Sequence, residues 1–281
     1  MENGAVPFDA TYRRSRRLNV AVRTTESRGH RISYEDVGAG PAIVLVNGFA
    51  SPAAEWRDRG YVDRLAYRYR VLSVDSLGHG QSTTPHDWEA YRVPAVAADI
   101  IAAMDAAGFE RAALWGYSRG GWLTAVTAAE YPQRVATLVA GGWANSGPQP
   151  GDGDEVSPRT QALLAGDWEG FWAALPFEVS DDDRRYSEES SDPRALGAVD
   201  LGTRRSGYLI NLARISAPVF LYYASQDAAD PESAETIRST AAAVGVVPHI
   251  LGGDHDHATG FNDAETVLPV VLEHLRSIGD F

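Results

Sequence analysis

The sequence predicts an α/β fold built on a mostly parallel sheet. Two apolar runs rich in β-branched residues, 42–46 and 71–74, have the composition of strands that are buried on both faces. Helical patterns follow such strands, and this alternation predicts crossovers that return each strand to one parallel sheet. With 281 residues and 44% hydrophobic content, the chain is long enough to bury the core of one large domain.

Eight strands and three core helices are predicted from the hydrophobic pattern and its breakers. The strands are expected at residues 18–23, 31–36, 42–46, 71–74, 112–115, 135–140, 219–223 and 246–251. The helices are expected from Pro94 to Gly108, over 119–130 and over 267–278. This arrangement predicts an eight-stranded sheet with helices on both faces.

The predicted core domain comprises residues 19–143 and 217–281. Residues 144–216 between them show no strong strand and a helical spacing of apolar residues, which predicts a helical cap or lid. Within this segment, 181–183 and 187–192 are expected to be solvated loop rather than a metal site. Residues 1–18 are polar with four arginines and are predicted to form a flexible arm, with docking on an acidic partner as the alternative.

Composition restricts the possible partners and chemistry. The net charge of −13 argues against a nucleic-acid partner, because binding phosphates requires clustered positive charge. The absence of cysteine excludes disulfides, thiolate catalysis and cysteine-ligated zinc. No apolar run has the length of a signal peptide core or a membrane span, so we expect a cytoplasmic protein without a membrane partner.

A candidate nucleophile lies between a predicted strand and a predicted helix. The segment 116–120 reads Gly-Tyr-Ser-Arg-Gly, and a strand that turns at once into a helix holds the intervening Ser118 under strain at the carboxyl edge of the sheet. The backbone N–H of Arg119, at the helix N-terminus, is then placed to stabilise an oxyanion. The alternative is that Ser118 is only a helix N-cap.

A serine nucleophile requires a base, and the base requires an orienting carboxylate. With this kind of elbow the acid precedes the histidine along the chain. Asp227 follows the predicted strand 219–223, and Asp230 is the alternative acid. The loop after the last predicted strand offers His255 and His257 as bases, and the same His and Asp residues could instead bind a metal.

Three motifs together resemble the α/β-hydrolase superfamily, in its small serine-dependent members with a helical cap. They are residues 47–51 (Asn-Gly-Phe-Ala-Ser), 75–82 (Asp-Ser-Leu-Gly-His-Gly-Gln-Ser) and 116–121 (Gly-Tyr-Ser-Arg-Gly-Gly). The resemblance implies that Phe49 supplies a second oxyanion N–H. It also favours His257 as the base, since residues 256–261 and 267–269 follow the family's Asp-His-x-x-x-Phe and Val-Leu-Pro pattern, although Gly253-Asp254-His255 resembles the family's Gly-x-His.

Two positions depart from the family pattern. Asn47 stands where relatives usually have a histidine that braces the oxyanion loop. Arg119 follows the nucleophile where relatives often have Met, Leu or Gln, and its side chain is expected to reach the cap, an acidic substrate group or a surface ion pair.

The predicted function is hydrolysis of an ester, thioester or lactone bond in a small, partly apolar substrate, without a cofactor or metal. Aromatic residues of the predicted cap form either an apolar wall for that substrate or the core of the cap itself: Trp168, Phe171, Trp172 and Phe177.

Two alternatives to this function remain. The resemblance allows carbon–carbon bond hydrolysis, cofactor-free halide peroxidation or acyl transfer with the same triad, or a non-catalytic small-molecule receptor. It argues against epoxide hydrolysis and haloalkane dehalogenation, which in this superfamily use Asp at the elbow.

Overall fold

An eight-stranded sheet forms the centre of the computed structural model, which describes residues 20–143, 156–175, 178–279 and 281. The strand order is β1-β2-β4-β3-β5-β6-β7-β8. Strand β2 runs in the direction opposite to that of the other seven strands. The predicted mostly parallel, eight-stranded α/β fold is therefore confirmed. The strands are β1 (Val22–Ser27), β2 (His30–Gly38), β3 (Ala42–Val46), β4 (Arg70–Val74), β5 (Ala112–Tyr117), β6 (Val135–Gly141), β7 (Val219–Tyr223) and β8 (His249–Ile250).

Helices pack on both faces of this sheet. Alternate residues of β3 show the two layers: Val44 and Val46 belong to the cluster that includes α3 and α4, whereas Ile43 and Leu45 belong to the cluster that includes α12. The helices are α1 (Ala54–Asp58), α2 (Tyr61–Leu65), α3 (Ala97–Ala107), α4 (Arg119–Glu130), α5 (Pro158–Ala165), α6 (Trp168–Ala173), α7 (Asp181–Ser190), α8 (Pro193–Arg205), α9 (Ser225–Ala229), α10 (Pro231–Val244), α11 (Thr259–Asn262) and α12 (Ala264–Ile278).

In the part of the chain that the structure describes, four helices, α5 to α8, lie between β6 and β7, and we call them the cap helices. Their buried residues Leu163, Phe171 and Leu196 pack with Ala50 of the core. The predicted N-terminal arm at residues 1–18 and Phe177 lie outside the described residues. Within the described ranges, no helix combines the length and the apolar character that crossing a membrane requires.

Several predicted elements differ from the structure. The first strand was expected at 18–23 and is β1, Val22–Ser27. Residues 181–183 and most of 187–192 were expected as loop but belong to α7, because Ser180 caps the helix and three aspartates in its first turn favour the helix dipole. The last strand, expected at 246–251, is limited to β8 at His249–Ile250, because Pro248 has no N–H to donate and Val247 is 90% exposed. Helix α3 begins at Ala97, three residues after Pro94.

The loop after β4 fixes the end of the neighbouring loop after β3, where α1 begins. The buried carboxylate of Asp75 accepts the backbone N–H of Ala53 at 2.6 Å and that of Gln81 at 3.0 Å. Burial raises the pKa of Asp75, and these two N–H groups oppose that effect. A Cβ at Gly80 would lie 2.1 Å from the Asp75 carboxylate, which explains why this motif has glycine there.

We expect Asp75→Ala to lower the free energy of unfolding by about 2–4 kcal/mol, because it leaves the buried Ala53 N–H without its acceptor. Urea unfolding measures this loss. The matched control is Asp105→Ala, which removes a 62% exposed carboxylate paired with Arg134 and should cost about 1 kcal/mol or less. Equal losses in the two variants would contradict the role assigned to Asp75.

Candidate active site

Ser118 occupies a sharp turn between β5 and α4. Its backbone has φ 53° and ψ −119°, a left-handed conformation that non-glycine residues rarely adopt. A Cβ at Gly116 would lie 2.1 Å from the Gly120 carbonyl oxygen, and a Cβ at Gly120 would lie 2.1 Å from the Val46 carbonyl oxygen. The two flanking glycines are therefore required for the strand and helix to approach closely enough to form this turn.

A continuous chain of hydrogen bonds joins Ser118, His257 and Asp227. The Ser118 Oγ lies 2.9 Å from Nε2 of His257, and Nδ1 of the same ring lies 2.9 Å from Oδ2 of Asp227. With a proton on Nδ1, the imidazole donates to Asp227, and its Nε2 is placed to accept the serine proton. This arrangement can activate an alcohol as a nucleophile.

The alternative acid, Asp230, and the alternative base, His255, interact with residues other than Ser118. Asp230 caps α10 and accepts the Ser233 N–H at 2.8 Å. His255 lies 3.0 Å from Asp263 through Nε2. Neither residue is part of the chain of hydrogen bonds that includes Ser118.

Two tyrosine hydroxyls hold the loop that carries His257. Tyr117 donates to the His257 carbonyl oxygen at 2.6 Å, and Tyr61 donates to the Phe261 carbonyl oxygen at 2.6 Å. Burial raises the pKa of both phenols well above the ordinary value, so both remain donors. The sequence pattern does not reveal these roles. The one sequence feature that could have indicated the role of Tyr117 is its place directly before Ser118.

The predicted oxyanion residues lie beside the nucleophile. Phe49 and Arg119 line the same cavity as Ser118, and Arg119 begins α4. The loop that carries Phe49 is braced at its start by Asn47, whose side-chain amide donates to the Pro52 carbonyl oxygen. Asn47 thus provides a brace at the position where relatives usually have a histidine.

A cavity of about 930 Å³ opens above Ser118 and His257. Of the four aromatic residues predicted for the cap, Phe171 and Trp172 line this cavity. Trp168 stacks on Trp172 with ring centroids 5.4 Å apart and is not among the described lining residues. The substrate contact of Trp168 stays a prediction, and its packing against the cap cluster favours the alternative that it belongs to the core of the cap.

Charged side chains on the cap helices also line the cavity, and the sequence analysis did not identify them. Asp200 of α8 is buried and accepts from Arg159 at 2.6 Å and from Arg204 at 3.1 Å. Burial would raise the pKa of Asp200, but the two guanidinium groups together with the Thr160 hydroxyl lower it. Arg159 is 41 positions from Asp200 and lies on another helix, so no sequence pattern reveals that pair, whereas Arg204 lies four residues after Asp200 on α8.

Comparisons with known proteins agree with this fold. A family model described as alpha/beta hydrolase fold matches residues 41–250. Bifunctional epoxide hydrolase 2 of Sus scrofa is 32% identical over 113 residues, which are 40% of this chain and 20% of that protein. The matches span between 20% and 43% of the length of the curated relatives.

Solved structures resemble nearly the whole chain. An enol-lactonase from Burkholderia xenovorans LB400 has a TM-score of 0.74 and 21% identity, covering 90% of this chain and 100% of that one. An epoxide hydrolase from Vigna radiata has a TM-score of 0.74 and 17% identity, covering 92% of this chain and 98% of that one. At this level of identity, the likeness establishes the fold.

We expect Gly142→Ala to disturb the position of His257. Gly142 has φ 56°, and a Cβ there would lie 2.8 Å from Tyr117 Cζ and 3.0 Å from His257 Cε1. The control is Gly245→Ala, where φ is 72° and an added Cβ would meet no atom within 4 Å. It should therefore lower the free energy of unfolding only through backbone strain, by about 1 kcal/mol. Overpacking should cost Gly142→Ala about 2 kcal/mol more in urea unfolding. Equal losses would contradict the close contact with His257.

Proposed function

The chain belongs to the α/β hydrolase fold family, and on this premise we propose that it is a serine hydrolase. It cleaves an ester, thioester or lactone bond of a small, partly apolar substrate through an acyl-enzyme. The observation that carries this proposal is the unbroken chain of hydrogen bonds from Asp227 through His257 to Ser118 at the strained elbow. Phe171 and Trp172 on the cavity wall support a partly apolar substrate.

In the first half of the reaction, Ser118 Oγ attacks the substrate carbonyl carbon. His257 Nε2 takes the serine proton, and Asp227 stabilises the imidazolium that forms. The backbone N–H groups of Phe49 and Arg119 stabilise the oxyanion. When the carbonyl re-forms, the bond to the leaving group breaks, and His257 returns the proton to the leaving oxygen or sulfur.

In the second half, water attacks the acyl carbon bound to Ser118. His257 takes a proton from this water, and a second oxyanion forms against the same two N–H groups. Collapse breaks the bond to Ser118 Oγ, which recovers its proton from His257. The products are a carboxylic acid and an alcohol or thiol, or a hydroxy acid from a lactone, and the enzyme returns to its starting state.

A serine nucleophile distinguishes this proposal from the activity in the names of several relatives. A carboxylate that opens an epoxide leaves an ester, which water can hydrolyse. An alcohol such as Ser118 would leave an ether, which the same general-base chemistry does not cleave. The elbow residue therefore favours acyl substrates, in agreement with the family resemblance, in which epoxide hydrolases use Asp at this position.

We expect Ser118→Ala to abolish acyl hydrolysis. Against a panel of 4-nitrophenyl esters, lactones and thioesters, the variant should lose about 10,000-fold or more in kcat, because the nucleophile cannot be replaced by its neighbours. Circular dichroism of both proteins controls for folding. Activity in Ser118→Ala equal to that of the wild type would overturn the proposal, and a folded wild type that turns over none of these substrates would favour a small-molecule receptor.

We expect the two histidines of the loop to differ sharply in the same assay. His257→Ala should lower kcat by about 1,000-fold or more, because the general base is lost. His255→Ala removes a neighbouring imidazole whose Nε2 faces Asp263, and its kcat should remain within about fivefold of the wild type. An inert His255→Ala beside an active His257→Ala would reverse the assignment.

A further inference from the structure

Arg119 directly follows the nucleophile and lines the same cavity as Ser118. Its guanidinium lies over the ring of Trp122, with Cζ 5.8 Å from the centroid. Across the ranges that the structure describes, no carboxylate, hydroxyl or carbonyl forms an ion pair or hydrogen bond with this guanidinium. The surface ion pair considered from the sequence is therefore not formed with any described residue.

The carboxylate that acts on Arg119 is already occupied. Asp200 favours the charged form of Arg119 from a distance, but its Oδ1 accepts from Arg159 and its Oδ2 accepts from Arg204 and Thr160. Three guanidinium groups thus share one carboxylate on this wall of the cavity. The wall consequently carries a surplus of positive charge.

The other acids of the cavity lining do not act on Arg119. Glu55 and Asp183 both pair with Arg59, so two carboxylates share that guanidinium. Glu232 is exposed to solvent in the first turn of α10. None of the three forms a contact with Arg119 in the described part of the chain.

Arg119 is partly buried, and the surrounding protein shifts its pKa. Desolvation lowers the pKa of Arg119 to about 10, although Asp200 and Tyr91 oppose the shift, so the side chain is still charged at neutral pH. Desolvation, together with the nearby charge of Arg119, also lowers the pKa of His79 to about 3. A partly buried charge without a bonded partner is unfavourable until a ligand supplies the opposite charge.

Resting on the proposed function, we propose that Arg119 binds a carboxylate carried by the acyl substrate. The planar guanidinium can pair with both carboxylate oxygens, which gives direction as well as attraction. Arg119 would then serve the reaction twice, with its backbone N–H facing the oxyanion and its side chain anchoring the far end of the substrate. Phe171 and Trp172 would contact the hydrocarbon between the scissile carbonyl and that carboxylate.

The test uses two series of 4-nitrophenyl esters of equal chain length. One series contains the mono-esters of glutarate, adipate and pimelate, and the other contains the neutral pentanoate, hexanoate and heptanoate. We expect the wild type to show a kcat/KM at least about 10-fold higher for the best charged ester than for its neutral counterpart, since hydrogen bonds to charged groups are strong.

Arg119→Met removes the charge and keeps the backbone N–H, and methionine is common at this position in relatives. In this variant, the ratio of kcat/KM for the charged ester to that for the neutral ester should fall about 10- to 100-fold. Arg119→Lys should recover part of the preference. Arg238→Gln, which removes an exposed arginine paired with Glu235, should leave both series unchanged. A preference that is absent from the wild type or persists in Arg119→Met would overturn the inference.

A binding measurement separates this inference from the proposed reaction. Calorimetric titration of glutarate, adipate and pimelate into Ser118→Ala reads the anion site without turnover. We expect saturable binding of at least one dianion, weakened about 10-fold or more when Arg119→Met is added. Equal binding by the two variants, or binding by neither, would overturn the inference even if ester hydrolysis is found. Binding that depends on Arg119 in a wild type without esterase activity would instead reject only the proposed reaction.

Discussion

The backbone at Ser118 is held in a left-handed conformation between the end of β5 and the start of α4, and the rest of the candidate site depends on this turn. The conformation is unfavourable for a residue with a side chain, so the surrounding structure has to maintain it. Gly116 and Gly120 allow the required close approach, and the Ser118 N–H donates to the Gly141 carbonyl oxygen of β6 at 2.8 Å. The turn alone therefore fixes the Ser118 hydroxyl at one edge of the sheet, independently of His257 and Asp227.

The parallel sheet then brings the partners to the same edge. Asp227 follows β7 and His257 follows β8, and both strands run parallel to β5, so their carboxyl ends lie on the side where Ser118 is presented. Asp227 lies in α9, and the loop that carries His257 is secured by hydrogen bonds from the buried tyrosines Tyr61 and Tyr117. Tyr117 links the nucleophile turn to the loop of His257, because it ends β5 directly before Ser118 and donates to the His257 carbonyl oxygen.

Local patterns in the sequence were sufficient to predict the central elements. The bounds expected for α4 and β7 are those found, because glycine, proline and apolar runs mark both ends of each. The sheet and its strand count followed from the same kind of signal. Elements with weak apolar patterns were predicted less well: α7 is a helix through its Ser180 cap and aspartate-rich first turn, and β8 is shortened by Pro248.

The walls of the cavity were largely beyond sequence reasoning. Arg159 meets Asp200 through the packing of α5 against α8, and this contact leaves no fixed spacing in the chain. Asp200 and Arg204 are four residues apart on α8, as are Trp168 and Trp172 on α6, but that spacing does not reveal which side chains line the cavity. The sequence identified Arg119 as unusual for its position, but only the structure shows that this residue lines the cavity and that its guanidinium has no bonded partner among the described residues.

Reaction with a fluorophosphonate, followed by mass spectrometry of the intact protein and its peptides, measures whether Ser118 is an alcohol activated by His257. We expect one phosphonyl adduct per chain, located on the peptide at Ser118, and a labelling rate that falls steeply in His257→Ala. Absence of any adduct on the folded wild type, or an adduct on a different residue, would rule out this activation.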